Sequence, residues 1–185
     1  MIKMAILLIL CTILYARLDS LLYSNFTAIG NQEGHFFYFF IWTFSIATYF
    51  LIQSTNIFKR HHFSFRYQKL LATYVYLSCI LTPIIPYTNT NPFLDDLHVL
   101  LIMSSVFIFL GIWFYFIYYL KVNHHPLISK IEVSFILFVH LLAFIFLFFS
   151  SVNSLIEVLI IAYMIIFIEI FKKNKKTLYK SISIV

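Results

Sequence analysis

The sequence predicts an all-α protein: a polytopic membrane helical bundle of six transmembrane helices with both termini in the cytoplasm. Three observations support this prediction, and two of them concern composition. Of the 185 residues, 62% are hydrophobic and only 11% are charged, whereas about 25% of the residues of a soluble domain are charged. The third is that apolar runs of about 18 to 24 residues recur, long enough to cross a hydrocarbon core of about 30 Å as helices. We therefore expect residues 1–185 to form a single integral-membrane domain.

The orientation of the predicted helices follows from their lysines and arginines, which concentrate in the cytoplasmic segments of membrane proteins. The predicted spans cover residues 4–23, 35–53, 69–87, 95–120, 131–150 and 154–171. Twelve of the thirteen basic residues fall on one side of these spans, and the loops near 24–34, 88–94 and 151–153 contain none. The side with the basic residues is therefore expected to be cytoplasmic, and the protein a multi-pass protein of a bacterial cell membrane. Leu14 disfavours signal-peptide cleavage after Ala16, because it would occupy the third position before the cleaved bond, where a small residue is preferred.

Local chemistry marks several helix ends. Ser129 to Glu132 and Ser154 to Glu157 each match the S-x-x-E capping box, in which the serine caps the helix start. Asn91 offers a cap that is followed by a proline, and proline is favoured at the first helical position. We expect the fifth and sixth spans to begin at the capping boxes and the fourth to begin at Asn91.

Arg17 is the basic residue that lies apart from the others, in the outer third of the first span, with Asp19 close by. Positions two apart lie on nearly opposite faces of a helix, so the two charges do not neutralise each other there. Three interpretations remain open. The first helix ends near Tyr15 and Arg17 lies among the outer headgroups; Arg17 pairs with Asp95, Asp96 or Glu157; or Arg17 and Asp19 bind substrate.

Asp95, Asp96 and His98 open the fourth span, and they are the strongest candidates for acid–base chemistry. Asp95 and His98 are three residues apart and share a helical face, with Ser105 on the same stripe. Seven residues span about 10 Å of helix, so His98 does not reach Ser105 and no Ser-His-Asp triad forms on this helix. The alternative is that both carboxylates stay solvated and favour the positive end of the helix dipole.

His140 lies about 13 Å into the fifth span, counted from Ile131, which places it near the middle of the membrane. An ionisable residue at that depth is a functional candidate, although a neutral histidine also joins two helices by a hydrogen bond. Ser104 and Ser105 lie at a similar depth in the fourth span, so a contact between Ser105 and His140 is geometrically possible, although nothing in the sequence requires it.

Cofactor and partner predictions are sparse. The pairs His61-His62 and His124-His125 raise a bis-imidazole haem site as a minor interpretation; solvated turns are favoured, and the cofactor stays unknown. Neither H-E-x-x-H nor C-x-x-C occurs, so no metal site is predicted. The expected partners are the lipid bilayer, with anionic headgroups at the lysine-rich C-terminal tail (172–180), and a second copy or another envelope protein. No nucleic-acid partner is expected.

Three classes of function follow from these residues. The favoured one is a binding or accessory protein of the cell envelope with an outward-facing polar pocket. The second is a membrane-embedded enzyme that acts on a lipid or envelope substrate through Asp95, Asp96, His98 and His140, with Arg17, Asp19 and Ser105 as substrate-binding groups. The third is a transporter of a proton or small solute, with His140 as its relay; the scarcity of glycine, at three residues, disfavours it.

The predicted topology is testable with reporters of sidedness. Fusions or single cysteines placed in 88–94 are expected to report the outside, and those in 61–67 the cytoplasm. The reason is that basic residues lie in and beside 61–67, whereas 88–94 contains none. The measurement is cysteine labelling by a membrane-impermeant reagent in whole cells. Labelling of 61–67 but not of 88–94 would contradict the orientation.

Overall fold

The computed structural model describes residues 2–85, 87, 91–123, 128–149 and 153–173, and its regular structure in these residues is entirely helical. The helices are α1 (Ile2–Ala16), α2 (Phe26–Gly30), α3 (Phe36–Arg60), α4 (Gln68–Leu81), α5 (Pro92–Val122), α6 (Ile128–Phe149) and α7 (Ser154–Lys173), and a 3-10 turn (Thr82–Ile84) extends α4. Three of the helices are long and apolar enough to cross a membrane, namely α3, α5 and Ser154–Lys172 of α7. The apolar part of α6 (Ile131–Ile145) and α1 are shorter.

Hydrogen bonds between chain segments establish which helix ends lie together. The start of α7 joins the loop after α1 through a bond from the Leu155 N–H to the Leu21 carbonyl. The described residues of 17–35, 82–98 and 153–157 meet at one end, called here the acidic end. The opposite end, called the basic end, contains the described residues of 57–69, 116–132 and 169–173, where the Tyr119 hydroxyl donates to the His61 carbonyl. The long helices therefore alternate in direction along the chain.

The core of the bundle is aromatic and is centred on Trp113, which has no solvent exposure. Its ring centroid lies between 5.2 and 5.8 Å from those of four phenylalanines on α3, α5 and α7: Phe58, Phe116, Phe167 and Phe171. A second cluster forms at the acidic end from Tyr15, Phe26, Phe39 and Trp42. The bundle thus has one aromatic centre near each end, and the second one includes α2.

The first helix ends earlier than predicted. We expected a span over 4–23, but α1 ends at Ala16, and Arg17 and Asp19 follow it in an exposed turn. The polar residues of this turn lie outside the helix, and the backbone of Leu21 and Ser24 is used to bind the start of α7. The helix therefore ends near Tyr15, as the first interpretation holds, while the placement of Arg17 among the outer headgroups stays a prediction.

The capping predictions have mixed outcomes. Asn91 is the N-cap of α5, its side chain accepts from the Leu94 N–H, and Pro92 is the first helical residue, as predicted. The box at Ser154 is wrong, because Asn153 caps α7 by accepting from the Ile156 N–H. The box at Ser129 is also wrong, because α6 begins at Ile128 and the Glu132 side chain binds Lys121.

The close packing of α2 against α3 makes a testable prediction at Gly30. A Cβ at this position would lie 2.6 Å from Cγ of Phe39, a buried ring held between Tyr15 and Trp42. We expect Gly30→Ala to lower the free energy of unfolding in detergent by about 1–3 kcal/mol, the usual cost of overpacking. Gly111→Ala is the matched control, because nothing lies within 4 Å of its Cβ position; it should be neutral or stabilising by about 0.5–1 kcal/mol. Equal effects of the two substitutions would contradict this packing.

Candidate functional site

His98 is sealed into the acidic end of the bundle. Only 2% of the residue is exposed, and each ring nitrogen has a protein partner. Its Nδ1 lies 2.7 Å from the Ile85 carbonyl, and its Nε2 lies 3.0 Å from the Thr27 hydroxyl. Because a carbonyl only accepts, Nδ1 carries the proton, and Nε2 accepts from the hydroxyl. His98 thus joins α5 to α2 and to the end of α4, and both of its nitrogens are occupied.

The other predicted groups on α5 differ in their exposure. Asp95 is half-buried in the first turn, and Asp96 is exposed. Ser105 is buried, donates to the Ile102 carbonyl of its own helix and accepts from the Cys79 thiol of α4. His140 bonds instead to the Ile136 carbonyl, so the possible Ser105–His140 contact is not formed. The four α5 candidates therefore do not form one accessible site, because His98 and Ser105 are buried whereas Asp96 is exposed.

Glu157 performs a task that its position in the sequence did not predict. It reaches from α7 to the start of α2, where its Oε2 accepts from the Phe26 N–H at 2.7 Å. The carbonyl of the same residue accepts from the Tyr15 hydroxyl of α1. Both polar groups of the Phe26 backbone are therefore bound by side chains from other helices.

The first backbone donors of α7 are all paired. The N–H of Ser154 donates to the Ser24 carbonyl at 2.7 Å, and that of Leu155 donates to the Leu21 carbonyl at 3.0 Å. Asn153 accepts the next two through its side chain and its backbone carbonyl. The Ser154 hydroxyl also donates to Ser24. The amide nitrogen of Asn153 is buried without a partner in this part of the chain.

Arg17 and Asp19 are exposed and separate from these buried contacts. In the described residues, the ion pairs are Lys121–Glu132 and Lys172–Glu169, so the predicted pair of Arg17 with Asp95, Asp96 or Glu157 does not form. Asp19 accepts from the Ser20 N–H and from the Gln32 amide. Hydrogen bonds lower the pKa of Asp19: the largest effect comes from the Ser24 hydroxyl, and the Ser20 N–H and the Gln32 amide add to it. Asp19 is therefore anionic at neutral pH.

His140 lies on the outside of the bundle. It is exposed, whereas Ile131, Phe135 and Phe138, which face α5 and α7, are buried on the opposite side of α6. Its Nδ1 lies 2.8 Å from the carbonyl of Ile136, one turn earlier in the same helix. Nδ1 must therefore carry the proton in the neutral ring, which leaves Nε2 as an acceptor on this exposed residue.

A buried charged cluster was missed by the sequence analysis. Glu169 and Lys172 form an ion pair on α7, with side chains that are 13% and 9% exposed. The Tyr49 hydroxyl of α3 donates to Glu169 at 2.9 Å, and the Lys172 ammonium lies 5.7 Å from the Tyr49 ring centre. The available signal was the spacing of three between opposite charges on one helix. Lys172 had been assigned to the C-terminal anchor, of which residues 174–180 lie outside the described residues.

Of the two histidine pairs, the structure describes only His61-His62, so the minor haem interpretation stays a prediction. The His61 ring packs against Phe116 and Phe171, while His124 and His125 lie outside the described residues. Over those residues no three side chains of His, Cys, Asp or Glu come together in a way that could hold a metal ion.

The cluster of Tyr49, Glu169 and Lys172 generates a prediction about stability. Lys172→Met would leave a carboxylate buried without its cation, so we expect a loss of about 3–5 kcal/mol. The double variant Lys172→Met/Glu169→Gln should recover most of this loss. Lys121→Met is the control, because its pair with Glu132 is partly exposed and worth about 0–1 kcal/mol. Unfolding by SDS in mixed micelles measures all three variants. Equal losses for Lys172→Met and Lys121→Met would contradict the cluster.

Comparison of the chain with protein-family models, with curated proteins and with solved structures finds no match.

Proposed function

We propose that the protein is a multi-pass protein of the bacterial cell membrane that crosses it six times with both termini in the cytoplasm. The alternation of the long helices supports this proposal, as does the gathering of basic residues at one end of the bundle. Helix α1 spans about 22 Å, less than the hydrocarbon core of about 30 Å. A helix shorter than the core is accommodated by local thinning of the bilayer, and exposed apolar side chains follow α1 at its outer end: Leu18, Leu21, Leu22 and Tyr23.

Within that membrane we infer a binding or accessory function without catalysis. The observation that carries this inference is the position of His140. It lies near the middle of α6 and is exposed, and among the residues that the structure describes its hydrogen bond goes to a carbonyl of its own helix. The acid–base candidates are thus divided between a sealed His98 at the acidic end and a His140 on the outer face. The positions of these two histidines do not support an enzyme or a proton path that uses both of them.

The chemistry of His140 indicates what would bind it. A bare Nε2 in hydrocarbon lacks a donor, and an unpaired polar group there is costly. A second copy of the chain in the same orientation would bring two acceptors together. The better partner is a transmembrane helix of another envelope protein that carries a hydroxyl or amide donor at mid-membrane depth. Polar side chains of this kind join helices in membranes.

Site-specific photo-cross-linking in intact membranes tests this function. A cross-linker at Leu137 or Leu141, which flank His140 on the exposed face, is expected to give one discrete adduct with a heterologous membrane protein. A cross-linker at Leu100, which is exposed on α5, is the control for random contact. His140→Leu should weaken the adduct about threefold to twentyfold, the range expected for a hydrogen bond between membrane helices. His140→Gln, which keeps an acceptor, should retain part of it.

Three outcomes would contradict the accessory function. They are an adduct unaffected by His140→Leu, adducts of equal diversity at Leu100, and an adduct with the mass of two copies of this chain. The isolated His140→Leu variant should remain folded, since the replacement only removes a polar group from an apolar surface. Its unfolding in detergent is measured in parallel.

A further inference from the structure

A groove of about 240 Å³ runs between α5 and α6 at the basic end of the bundle. Its floor is formed by Ile117 and Phe135, each 3% exposed. Its rims are the exposed side chains of Phe114, Tyr118 and Ile136. The lining positions on α5 follow the spacing i, i+3, i+4 and i+7 of one helical stripe, so the groove follows α5 for about 10 Å.

An ion pair closes the groove at its polar end. Lys121 of α5 and Glu132 of α6 line the groove, and their charged atoms are 2.7 Å apart. Both stay accessible, with side chains that are 56% and 27% exposed. An ammonium has three donors, and the bond to Glu132 uses one of them. The hydrogen bonds of the described residues use only Oε1 of Glu132, so its second oxygen is also available.

We propose that this groove binds one phospholipid whose headgroup carries both a phosphate and a primary ammonium, the ethanolamine class. One acyl chain lies in the apolar channel, the phosphate binds Lys121, and the headgroup ammonium donates to Glu132. The two protein charges match the two headgroup charges in reverse order, and that complementarity selects the ligand. This proposal rests on the proposed membrane location, but not on a partner at His140.

Other lipids complement the ion pair less well. An anionic glycerol headgroup satisfies Lys121 with its phosphate, but it has no cation to compensate the charge of Glu132. A choline headgroup has a cation without an N–H, so it offers the carboxylate no hydrogen bond. A partly exposed ion pair discriminates weakly, so we expect a preference of about twofold to fivefold for the ethanolamine lipid over each of the others.

The test is lipid retention by the full chain purified from nanodiscs that contain equal parts of ethanolamine, glycerol and choline phospholipids. Native mass spectrometry is expected to show one retained lipid per chain, enriched in the ethanolamine class. Ile136→Trp fills the groove and should abolish retention. Leu137→Trp is the matched control, because this exposed neighbour does not line the groove; it should retain the lipid.

The charge variants test the headgroup assignment. Glu132→Gln should remove the preference for ethanolamine over glycerol lipids, and Lys121→Gln should lower retention of all three classes. The proposal is overturned if the retained lipids mirror the bulk mixture, if the glycerol class is enriched in the wild type, or if Ile136→Trp behaves as Leu137→Trp does. His140→Leu should keep the lipid, so failure of the accessory function is distinguishable from failure of this site.

Discussion

Each backbone N–H that begins a helix needs an acceptor, and a helix start closed off from water must find that acceptor in the protein. This constraint organises the acidic end of the bundle. The start of α7 donates to the carbonyls of Leu21 and Ser24 and to its own cap, Asn153. In return, Glu157 of α7 accepts from the start of α2. The start of α7 therefore binds the turn after α1, and Glu157 of α7 binds the start of α2 that follows this turn.

The same need for a hydrogen-bonding partner explains the positions of the other buried polar groups. His98 joins three segments through two nitrogens, and Tyr49 joins α3 to the ion pair on α7. A polar group that stabilises the contact between helices is occupied, and its removal would leave buried partners unpaired. Other charged and polar side chains are accessible at the surface. Among them are Arg17, Asp19 and Asp96 at the acidic end, His140 on α6, and the Lys121–Glu132 pair at the basic end.

Helix α6 is the element on which both proposals converge. It packs against α5 and α7, and it presents one wide apolar face outward with His140 within it. Ile136 connects the two features, because its side chain lines the groove and its carbonyl accepts from His140 one turn later. A lipid in the groove and a helix at His140 would therefore contact neighbouring parts of one surface. The geometry gives a physical reason for lipid composition to influence the binding of a partner.

The sequence by itself determined the helical class, the approximate position of the long helices and the start of α5. These depend on composition and on local chemistry such as the cap at Asn91 before Pro92, which acts within one turn of chain. Only the tertiary structure decided which face of each helix turns inward. The helices are apolar on nearly every side, so no stripe of polar residues marks the outer face of α6 and places His140 there. The bond from Glu157 to Phe26 joins residues 131 positions apart, and local pattern carries no information about such a pair.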